Sequence, residues 1–581
     1  MVRFCWAILV AVIISWPSVA FARPEAPPHM SEQFVPQAIS EKDAQAYRDI
    51  FQLQTQGDWA RADQKISELS DKVLMGYVLH QRYMHPTKYR SKYNELHKWM
   101  AAYADHPNAA KIYRLALRRR PQRASPPVRP QPRQWRTKQD WTLHPKLQAD
   151  SRNKGARRIR QIEGRVRYLC RKEKAISALA EITQHLKSGR ITTRQYDRMR
   201  SWVAASLYYQ GYLGKARDIS NSVANRNGDV AALAHWIHGL IDFRSGRYPD
   251  ALTHFDRMAA SPHQDASLRA AAGFWAARAA IASGNIDKVT HNLEIAAHEP
   301  MTFYGQLALA QLGRDPGFDW HPPTITSSDY HKLTERHQAI TRIVALSQIG
   351  RLADAELEMQ WLNGAIEDVD APALLAISTA LRLPSAQIDI ASTLDIPGRE
   401  AGLFPIPDFA PADGFKADRA VLYGLMRQES KFRPDAKSRV GARGLMQLMP
   451  RTASFIAKDR SLASRKGRDR LFNPEKNLEI GQAYVNYLIT HVGEESLFDV
   501  AAAYNGGPGN LRRWKNEVEI DDPLLFIESI PSFENRDFVE KVLTNIWVYR
   551  TRLGQPAPSR DLVAAGSLPA YEALDQLIHT E

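Results

Sequence analysis

The chain has 581 residues, of which 44% are hydrophobic and 24% are charged, so it has room for about three or four domains and is too apolar for wholesale disorder. Its net charge of +15 favours an anionic partner such as a nucleic acid, a membrane surface or an acidic polymer, although a solvated basic surface without a specific partner fits as well. The sequence has no HExxH motif, no CxxC pair, no phosphate-binding loop and no glycine-rich dinucleotide turn. We therefore expect neither a metal ion nor a cofactor.

Residues 1–22 have the pattern of an export signal. Arg3 precedes an apolar run from Cys5 to Trp16, and Ala20-Phe21-Ala22 fits a small-x-small cleavage site. The run is short for a membrane span, and an uncleaved anchor is the alternative. We expect a periplasmic protein that is not stably inserted in a membrane after the signal is removed. Export argues against a nucleic-acid partner, and the one remaining cysteine, Cys170, excludes an intramolecular disulfide in the mature chain.

A short signature recurs between about residues 36 and 400, where the hydrophobic pattern has a helical period. It consists of a glycine, an apolar residue and usually a small residue, and it begins at Gly57 (GDWARA), Gly211 (GYLGKA), Gly246 (GRYPDA), Gly284 (GNIDKV) and Gly350 (GRLADA). The last four glycines lie 35, 38 and 66 residues apart, which indicates stacked helix-turn-helix units with a period of about 34 residues. We predict that each glycine ends one helix in the left-handed conformation and that the small residue lets the next helix pack closely. The repeats predict a TPR-like α-solenoid, an architecture that also occurs in plain scaffolds.

Two breaks divide this pattern. Residues 118–172 are rich in Arg and Pro and poor in acids, which favours an extended linker or loop in their N-terminal part. A solvated linker is the simpler interpretation, and an electrostatic contact with an anionic wall or membrane is the alternative. The second break is Phe404-Pro405-Ile406-Pro407, which marks a domain entry. The predicted divisions are a signal peptide (1–22), an N-terminal helical region (23–117), a basic linker or loop (118–160), a TPR-like superhelix (161–300), a helical linker domain (301–400) and a C-terminal domain (401–581).

One carboxyl in the C-terminal region occupies a position that normally faces a core. Leu422, Leu425, Met426 and Glu429 fall at i, i+3, i+4 and i+7, on one face of a helix. Burial would raise the pKa of Glu429 and keep it protonated, as a general acid requires near neutral pH. The alternative is a solvated carboxyl at the helix end, because Pro434 follows closely.

A glycine-bearing turn follows at Ser438–Gln447, where glycines let the backbone approach a ligand. Gln447 stands among thioether and aliphatic side chains, a setting that suits an N-acetyl sugar with its hydrogen-bonding groups and methyl group. Met446 and Met449 are equally well explained as core filler, and Gln447 as a surface residue.

Two further segments complete the set. In DVAAAYNGGPGNLRRW, which begins at Asp499, a helix should end near Tyr504, whose hydroxyl would then be placed to meet Glu429. Asn505 is well explained as the C-terminal cap of that helix. In ESIPSFENRDFV, which begins at Glu528, the acids beside Arg536 form either a structural ion pair or part of the site.

These four segments, in this order and spacing, resemble the soluble lytic transglycosylase family, whose catalytic domain has a goose-lysozyme-like fold. The marks of the resemblance are Gln-Glu-Ser around Glu429, the GLMQLMP run that follows Ser438, the AYNGG turn at 503–507, and Ile530-Pro531 with Glu534-Asn535-Arg536. Phe303-Tyr304-Gly305 and the helical N-terminal region extend the likeness over most of the mature chain. This sequence departs from the family at Asn535, where Thr is common, and at Arg443, where a small residue is common.

The resemblance implies an all-α fold in which a TPR-like α-solenoid or superhelix carries a lysozyme-like helical catalytic domain. It implies that Glu429 is the sole acid/base, protonating the glycosidic oxygen between MurNAc and GlcNAc and then taking the proton of the MurNAc 6-hydroxyl. That hydroxyl attacks C1 and leaves a 1,6-anhydro-MurNAc end without water. The residues expected to bind the saccharide are Ser438, Gly441, Met446, Gln447, Tyr504, Asn505 and Glu534.

The expected partners are peptidoglycan glycan strands and, through the helical repeats, other cell-wall enzymes. We expect a monomer that binds no nucleic acid. Two alternatives remain, a lysozyme-like muramidase that uses water and a non-enzymatic cell-wall scaffold. Ordinary glycosidases use two carboxyls at a defined separation. Asp435 is the acid nearest to Glu429 in sequence, and nothing marks it as a partner, which is consistent with a mechanism that uses one carboxyl and the substrate N-acetyl group.

Overall fold

Helices make up the regular structure of this chain in the computed structural model, which describes residues 35–134, 154–228, 231–261, 265–493 and 496–578. Within these ranges, pairing between extended segments is limited to three isolated bridges, Lys437–Arg443, Arg443–Leu448 and Ser496–Ala570. The predicted all-α class is therefore confirmed. The predicted signal peptide lies outside the described residues.

The helices fall into four groups along the chain. Those before the basic interruption are α1 (Glu41–Gln56), α2 (Trp59–Ser67), α3 (Met75–Tyr83), α4 (Tyr93–Ala102) and α5 (Ala109–Arg119). Those of the predicted repeat region are α6 (Lys154–Arg171), α7 (Ala175–Lys187), α8 (Thr193–Tyr209), α9 (Leu213–Asn227), α10 (Ala232–Arg244), α11 (Tyr248–Ala259), α12 (Ala266–Ala282), α13 (Val289–Ala297) and α14 (Phe303–Gln311).

The third group consists of α15 (Ser327–Arg336), α16 (Gln338–Gln348), α17 (Leu352–Ala365), α18 (Ala371–Ala380), α19 (Pro384–Ala391) and α20 (Arg399–Leu403). The C-terminal group consists of α21 (Arg419–Glu429), α22 (Pro450–Ile456), α23 (Pro474–His491), α24 (Leu497–Gly506), α25 (Pro508–Val518), α26 (Pro523–Ser529), α27 (Phe533–Arg552) and α28 (Pro558–Ala564). Short 3₁₀ turns occur at Ile286–Lys288, Asp368–Asp370, Arg460–Ala463, Arg468–Phe472 and Asp575–Leu577.

The recurring glycine signature lies at the predicted place in each unit. Its five glycines are all left-handed, with φ between 72° and 79°, and each follows the end of one helix and precedes the next. The small residues of the signature, Ala62, Ala216, Ala251 and Ala355, are completely buried. Successive helices from α8 to α13 pack on one another in chain order. The predicted TPR-like features of this region, which are left-handed glycines in the turns, buried small residues and sequential helix packing, are therefore confirmed.

The basic interruption is shorter than the sequence predicts. The helix α6 begins at Lys154, inside the range predicted as linker or loop (118–160), because Ile162, Val166 and Leu169 supply an apolar stripe that is buried against the neighbouring helices. The segment from 121 to 134 is not helical. The middle of the interruption, 135–153, lies outside the described residues.

The repeats and the C-terminal group share one continuous hydrophobic core, which runs from Ile39 to Ala564, and a smaller core lies between α4 and α5. Polar contacts join the same regions, since Tyr208 Oη and Ser529 Oγ lie 2.7 Å apart and the Tyr304 hydroxyl donates to the buried carboxylate of Glu528. The chain between α20 and α21, which includes Pro405 and Pro407, is not helical, so the predicted break in the helical pattern is present. In the portion of the chain that the structure describes, no helix has the length and apolar character to cross a bilayer.

Candidate active site

Glu429 is the last residue of α21, a helix that is fixed against the long C-terminal helix α27. Asp418 caps the first turn of α21. At Gly424 the two helices approach so closely that a Cβ would lie 2.9 Å from the Ile546 side chain, and Asn545 Nδ2 donates to the Gly424 carbonyl at 3.2 Å. This close packing fixes the rotation of α21 and therefore the direction in which the Glu429 side chain leaves the helix.

The Glu429 carboxyl is half-buried, and its environment changes its acidity. Burial, assisted by the negative charge of Glu534, raises the pKa of Glu429 from 4.5 to about 8. The carboxyl is therefore mostly protonated at neutral pH and able to donate a proton. The predicted helix end at Glu429 is right, but the carboxyl at that end is not freely solvated, since burial is the main cause of its raised pKa.

The chain reverses directly after Glu429 through two non-glycine residues in the left-handed region, Lys431 (φ 51°) and Phe432 (φ 61°). Such conformations cost of order 1–3 kcal/mol each and persist only where the surroundings hold them. Phe432 is buried, and Lys431 Nζ lies 3.6 Å from Asp389 Oδ1 on α19. The turn that orients Glu429 is thus held partly from the helical region that precedes the C-terminal group.

The loop after this turn is closed by Ser438 and two glycines. Ser438 Oγ accepts the backbone N–H groups of Gly441 at 3.2 Å and Ala442 at 3.0 Å. Gly441 has φ 100°, which a side chain would strain. The Gly444 N–H donates to the Ala436 carbonyl at 2.9 Å. Ser438 and Gly441 therefore shape the loop, whatever contact they also make with a ligand.

Gln447 is fixed within the same loop by its own amide. Its Nε2 donates to the carbonyls of Ala436 at 3.0 Å and Gly444 at 2.9 Å, and its backbone is left-handed (φ 45°). Both N–H donors of the Gln447 amide are thus used inside the loop. These two hydrogen bonds do not involve the Oε1 acceptor of the same side chain. This arrangement does not fit a plain surface residue. Met449, by contrast, is 40% exposed and is not core filler.

Met446 is completely buried and is held by a residue that the sequence analysis did not single out, Asn477 on α23. Asn477 Oδ1 accepts the Met446 N–H at 2.8 Å, and its Nδ2 donates to the carbonyls of Arg443 at 3.0 Å and Leu471 at 2.8 Å. The Met446 thioether packs so closely on Gly481 that a Cβ there would collide with it. The core interpretation of the Met446 side chain is therefore the one that the structure supports.

Tyr504 joins this loop to the acid. Its hydroxyl donates to the Met446 carbonyl at 2.7 Å, and its ring lies parallel to that of Phe538 with the centroids 6.3 Å apart. Burial and then the charge of Glu429 raise the pKa of Tyr504 well above its usual value. The phenol is therefore neutral, and the charge of Glu429 acts on it.

Two further predicted site residues, Asn505 and Glu534, lie on α24 and α27 respectively. The expectation that Asn505 caps α24 is wrong, because the helix continues to Gly506 and Gly507 is the cap, with φ 85°. Asn505 Oδ1 instead accepts from Asn535 Nδ2 at 3.2 Å. Glu534 is exposed in the first turn of α27, and its negative charge acts on Glu429.

The two departures from the family pattern are both structural. Arg443 is buried, donates through Nε to Asp469 at 3.0 Å and donates through Nη1 to the Gly441 carbonyl. Asn535 is completely buried and donates to the Ala502 carbonyl at 2.9 Å. Arg536 lies over the Tyr209 ring at 3.7 Å, which favours the structural interpretation of its group of charges.

Together these elements present one protonated carboxyl beside a neutral phenol and a second, exposed carboxylate, next to a loop whose backbone is fixed by Ser438, Gln447 and Asn477. Such a group can donate a proton to a leaving oxygen and, once ionised in its shielded position, accept one from an attacking hydroxyl. Residues 409–526 match the family model described as "Transglycosylase SLT domain".

The chain is also similar to curated soluble lytic murein transglycosylases. That of Salmonella typhimurium is 42% identical over 143 residues, which cover 24% of this chain and 22% of that protein. The corresponding Escherichia coli K12 protein is 39% identical over 142 residues, with the same coverage of both chains. The chain thus aligns with about a fifth of the length of these curated relatives.

The likeness in structure extends further than the likeness in sequence. The crystal structure of the 70 kDa soluble lytic transglycosylase of Escherichia coli superposes with a TM-score of 0.53 and 20% identity, covering 89% of this chain and 97% of that chain. At this level of identity the comparison shows a common fold.

Two residues that hold the loops of the candidate site were not predicted from the sequence. Asn477 and Asp389 lie in helices that carry no motif of their own, and each contributes by reaching a loop that is distant in sequence. The available signal for Asn477 was a polar residue within the apolar face of a helix, in PEKNLEIGQAYV, which is also typical of an ordinary buried amide. No sequence pattern marked Asp389, because its role depends on the position of Lys431, which only the folded structure brings near.

Proposed function

We propose that this protein is a lytic transglycosylase that cleaves the MurNAc-β-1,4-GlcNAc bond of peptidoglycan without water and leaves 1,6-anhydro-MurNAc ends. The observation that carries the proposal is the Glu429 carboxyl, which is half-buried at the end of α21 with a pKa raised to about 8. The family match over residues 409–526 supports the choice of substrate.

Glu429 acts in two steps in this proposal. Protonated at neutral pH, it gives its proton to the glycosidic oxygen as the C1–O bond breaks, and the GlcNAc leaves with that proton as a free hydroxyl. The substrate N-acetyl group stabilises the positive charge that develops at C1. The ionised Glu429, a stronger base than an ordinary carboxylate because of its burial, then takes the proton of the MurNAc 6-hydroxyl as that oxygen bonds to C1. The enzyme ends the cycle protonated, as it began.

The saccharide groove is proposed to include the loop at 438–447 together with Tyr504, Asn505 and Glu534. The Oε1 acceptor of Gln447 suits an N–H donor of the sugar, because both of its own donors are used within the loop. The buried Met446 contributes its position and its backbone, which Tyr504 fixes by the hydrogen bond to the carbonyl. Ser438 and Gly441 contribute the loop shape on which those contacts depend.

The protein is further proposed to act in the periplasm, where peptidoglycan is found. Its divisions are those that the sequence predicts at 22, 117, 300 and 400, with the basic interruption ending where α6 begins at Lys154. The peptidoglycan strand is the proposed substrate, other cell-wall enzymes are proposed partners of the repeats, and the protein is proposed to act as a monomer.

The chemistry is tested by digesting purified sacculi with wild-type protein, with Glu429→Gln and with Asp435→Asn, followed by mass spectrometry of the products. We expect anhydro-MurNAc ends from the wild type, a loss of at least ~10²-fold in rate for Glu429→Gln, and near wild-type rate for Asp435→Asn, which removes the exposed acid nearest in sequence. Reducing MurNAc ends would make the protein a muramidase, and a wild type that digests no sacculi would make it a scaffold. An equal loss in both variants would refute the single-carboxyl mechanism.

A further inference from the structure

A group of imidazoles and a carboxylate is buried within the repeat region, apart from the candidate active site. His235, His238 and Asp242 lie at i, i+3 and i+7 on one face of α10, and His254 faces them from α11. All four residues are at most 8% exposed. Polar side chains buried this deeply require partners, because an unpaired polar group in the interior costs of order 1–3 kcal/mol.

The distances within the group suit a shared cation. His238, Asp242 and His254 each offer one ligand atom, and the three atoms lie within 4.8 Å of one another. His238 Nε2 and Asp242 Oδ2 are 3.3 Å apart. Two ligands bound tetrahedrally at about 2.0–2.1 Å from zinc are separated by about 3.3–3.4 Å, so this pair already has the required spacing.

The hydrogen bonds around His238 determine which ring nitrogen carries its proton. Ser220 Oγ donates to the Arg217 carbonyl at 3.1 Å, so that its lone pairs face His238 Nδ1 at 3.0 Å and require an N–H there. A neutral His238 then directs the lone pair of Nε2 towards Asp242 Oδ2, which lies 3.3 Å away. Two acceptors that face each other at this distance need a second proton on His238 or a cation between them.

His254 is held in a corresponding way. Its Nδ1 lies 2.9 Å from His235 Nδ1, so one of these nitrogens donates to the other, and the His254 ring lies 4.3 Å from that of His238. When His254 Nδ1 is the donor of this pair, the Nε2 lone pair of His254 is available to a ligand, which is the arrangement that metal-binding histidines adopt.

Positive charges also face the group, from the neighbouring helices. Arg247 Nη2 lies 2.7 Å and Arg217 Nε 3.3 Å from Asp242 Oδ1, and Arg257 acts on His235 and His254. The two contacts on Asp242 are made to the oxygen that does not face His238. They orient the carboxylate and leave Oδ2 directed at the histidines, although they also weaken its attraction for a second cation.

We propose that His238, His254 and Asp242 form a zinc site that joins α10 to α11, with Ser220 and His235 as the residues that orient the two imidazoles. Two neutral imidazole nitrogens with one carboxylate oxygen are a donor set that zinc prefers, whereas Mg²⁺ and Ca²⁺ require mostly oxygen ligands. The fourth position would be taken by water. The bound ion would connect two successive helices of the repeat stack and stabilise their packing by binding the folded state.

The test uses the full chain, purified without a histidine tag and stripped with a chelator. Isothermal titration with zinc chloride and metal analysis after gel filtration should give about one ion per chain, and zinc should raise the melting temperature by ~2 °C or more, with no rise for MgCl₂. His254→Gln and Asp242→Asn should each lower zinc affinity at least ~10²-fold, and His235→Gln about 10-fold. His331→Gln, at an exposed histidine on α15, is the matched control and should bind as the wild type does.

X-ray absorption at the zinc edge decides the matter even if a variant does not fold. We expect the scattering of two imidazoles in the zinc-loaded wild type. A shell of oxygens alone, or zinc binding that His254→Gln and Asp242→Asn leave unchanged, would overturn the proposal. So would a wild type that binds no zinc at tens of micromolar, and a loss in His331→Gln equal to that in His254→Gln.

Discussion

Replacement of Glu429 by Gln removes the ionisable proton while it keeps the size of the side chain, and it should separate the role of this residue in catalysis from its effect on stability. The folded protein raises the pKa of this carboxyl from 4.5 to about 8. A group whose pKa is raised on folding contributes stability below its unfolded pKa and loses that contribution as the pH rises through the folded value. Wild-type protein should therefore lose stability from about pH 5 to about pH 8 through this residue.

The size of the effect follows from the same two pKa values. At about 1.36 kcal/mol per pH unit, the change from 4.5 to about 8 sets an upper limit of ~5 kcal/mol. Glu429 is half-buried as a residue, and solvent screens a partly exposed charge, so we expect about 1–3 kcal/mol. Glu429→Gln should thus be nearly as stable as the wild type at about pH 5 and more stable by this amount at about pH 9, although its activity is lost.

Urea unfolding of both proteins at about pH 5, 7 and 9 measures the difference in free energy of unfolding, with Glu335→Gln, at an exposed carboxyl on α15, as the control for loss of one negative charge. A difference that does not change with pH, or a variant that becomes less stable than the wild type as the pH rises, would show that Glu429 is not a proton-holding buried acid. In the wild type, activity should fall above about pH 8 as the acid loses its proton.

Three other substitutions test the supports of the site. Glu534→Gln removes a charge that raises the pKa of Glu429, so the alkaline limb of the pH–rate profile should move to lower pH by a fraction of a unit; an unchanged or raised limb would contradict the coupling. Tyr504→Phe removes the 2.7 Å hydrogen bond to the Met446 carbonyl, so it should lower the free energy of unfolding by about 1–2 kcal/mol and slow the digestion of sacculi. Digestion at the wild-type rate would show that the Tyr504 hydroxyl has no role in the site. Asn477→Ala leaves the buried Met446 N–H and two carbonyls without partners and should cost at least ~2 kcal/mol in urea unfolding; a cost below about 0.5 kcal/mol would mean that other groups satisfy them.

The helical repeats were predictable because their signature is local. A left-handed glycine and a small residue five positions later act within one helix-turn-helix unit, so the roles of Gly211 and Ala216 can be predicted from that unit alone. The start of α6 was predicted too late, because the abundant arginines of that segment hide an apolar stripe that only packing reveals as a helix face.

The sequence was a better guide to which residues belong to the candidate site than to the contacts that each of them makes. Glu429, Gln447 and Tyr504 were singled out from the four segments. In the structure Tyr504 donates to the carbonyl of Met446, the neighbour of Gln447, and the charge of Glu429 acts on Tyr504. Asn505 was expected to cap its helix and instead accepts a hydrogen bond from Asn535. Met446 and Ser438 were expected to line a groove, whereas most of their visible contacts hold the loop in shape.

The sequence by itself indicated which chemistry the C-terminal region is equipped for, since the helical period places one carboxyl on an inward face and four ordered segments resemble one enzyme family. It also determined the helical repeats, whose turns depend on residues that adjoin in the chain. Only the tertiary structure decided that Glu429 is an acid with a raised pKa. That property depends on the burial of its carboxyl and on the charge of Glu534, which lies far from it in sequence. The same holds for Asp389 and for the buried histidines of α10 and α11, because proximity between distant segments is set by packing and leaves no pattern in either segment alone.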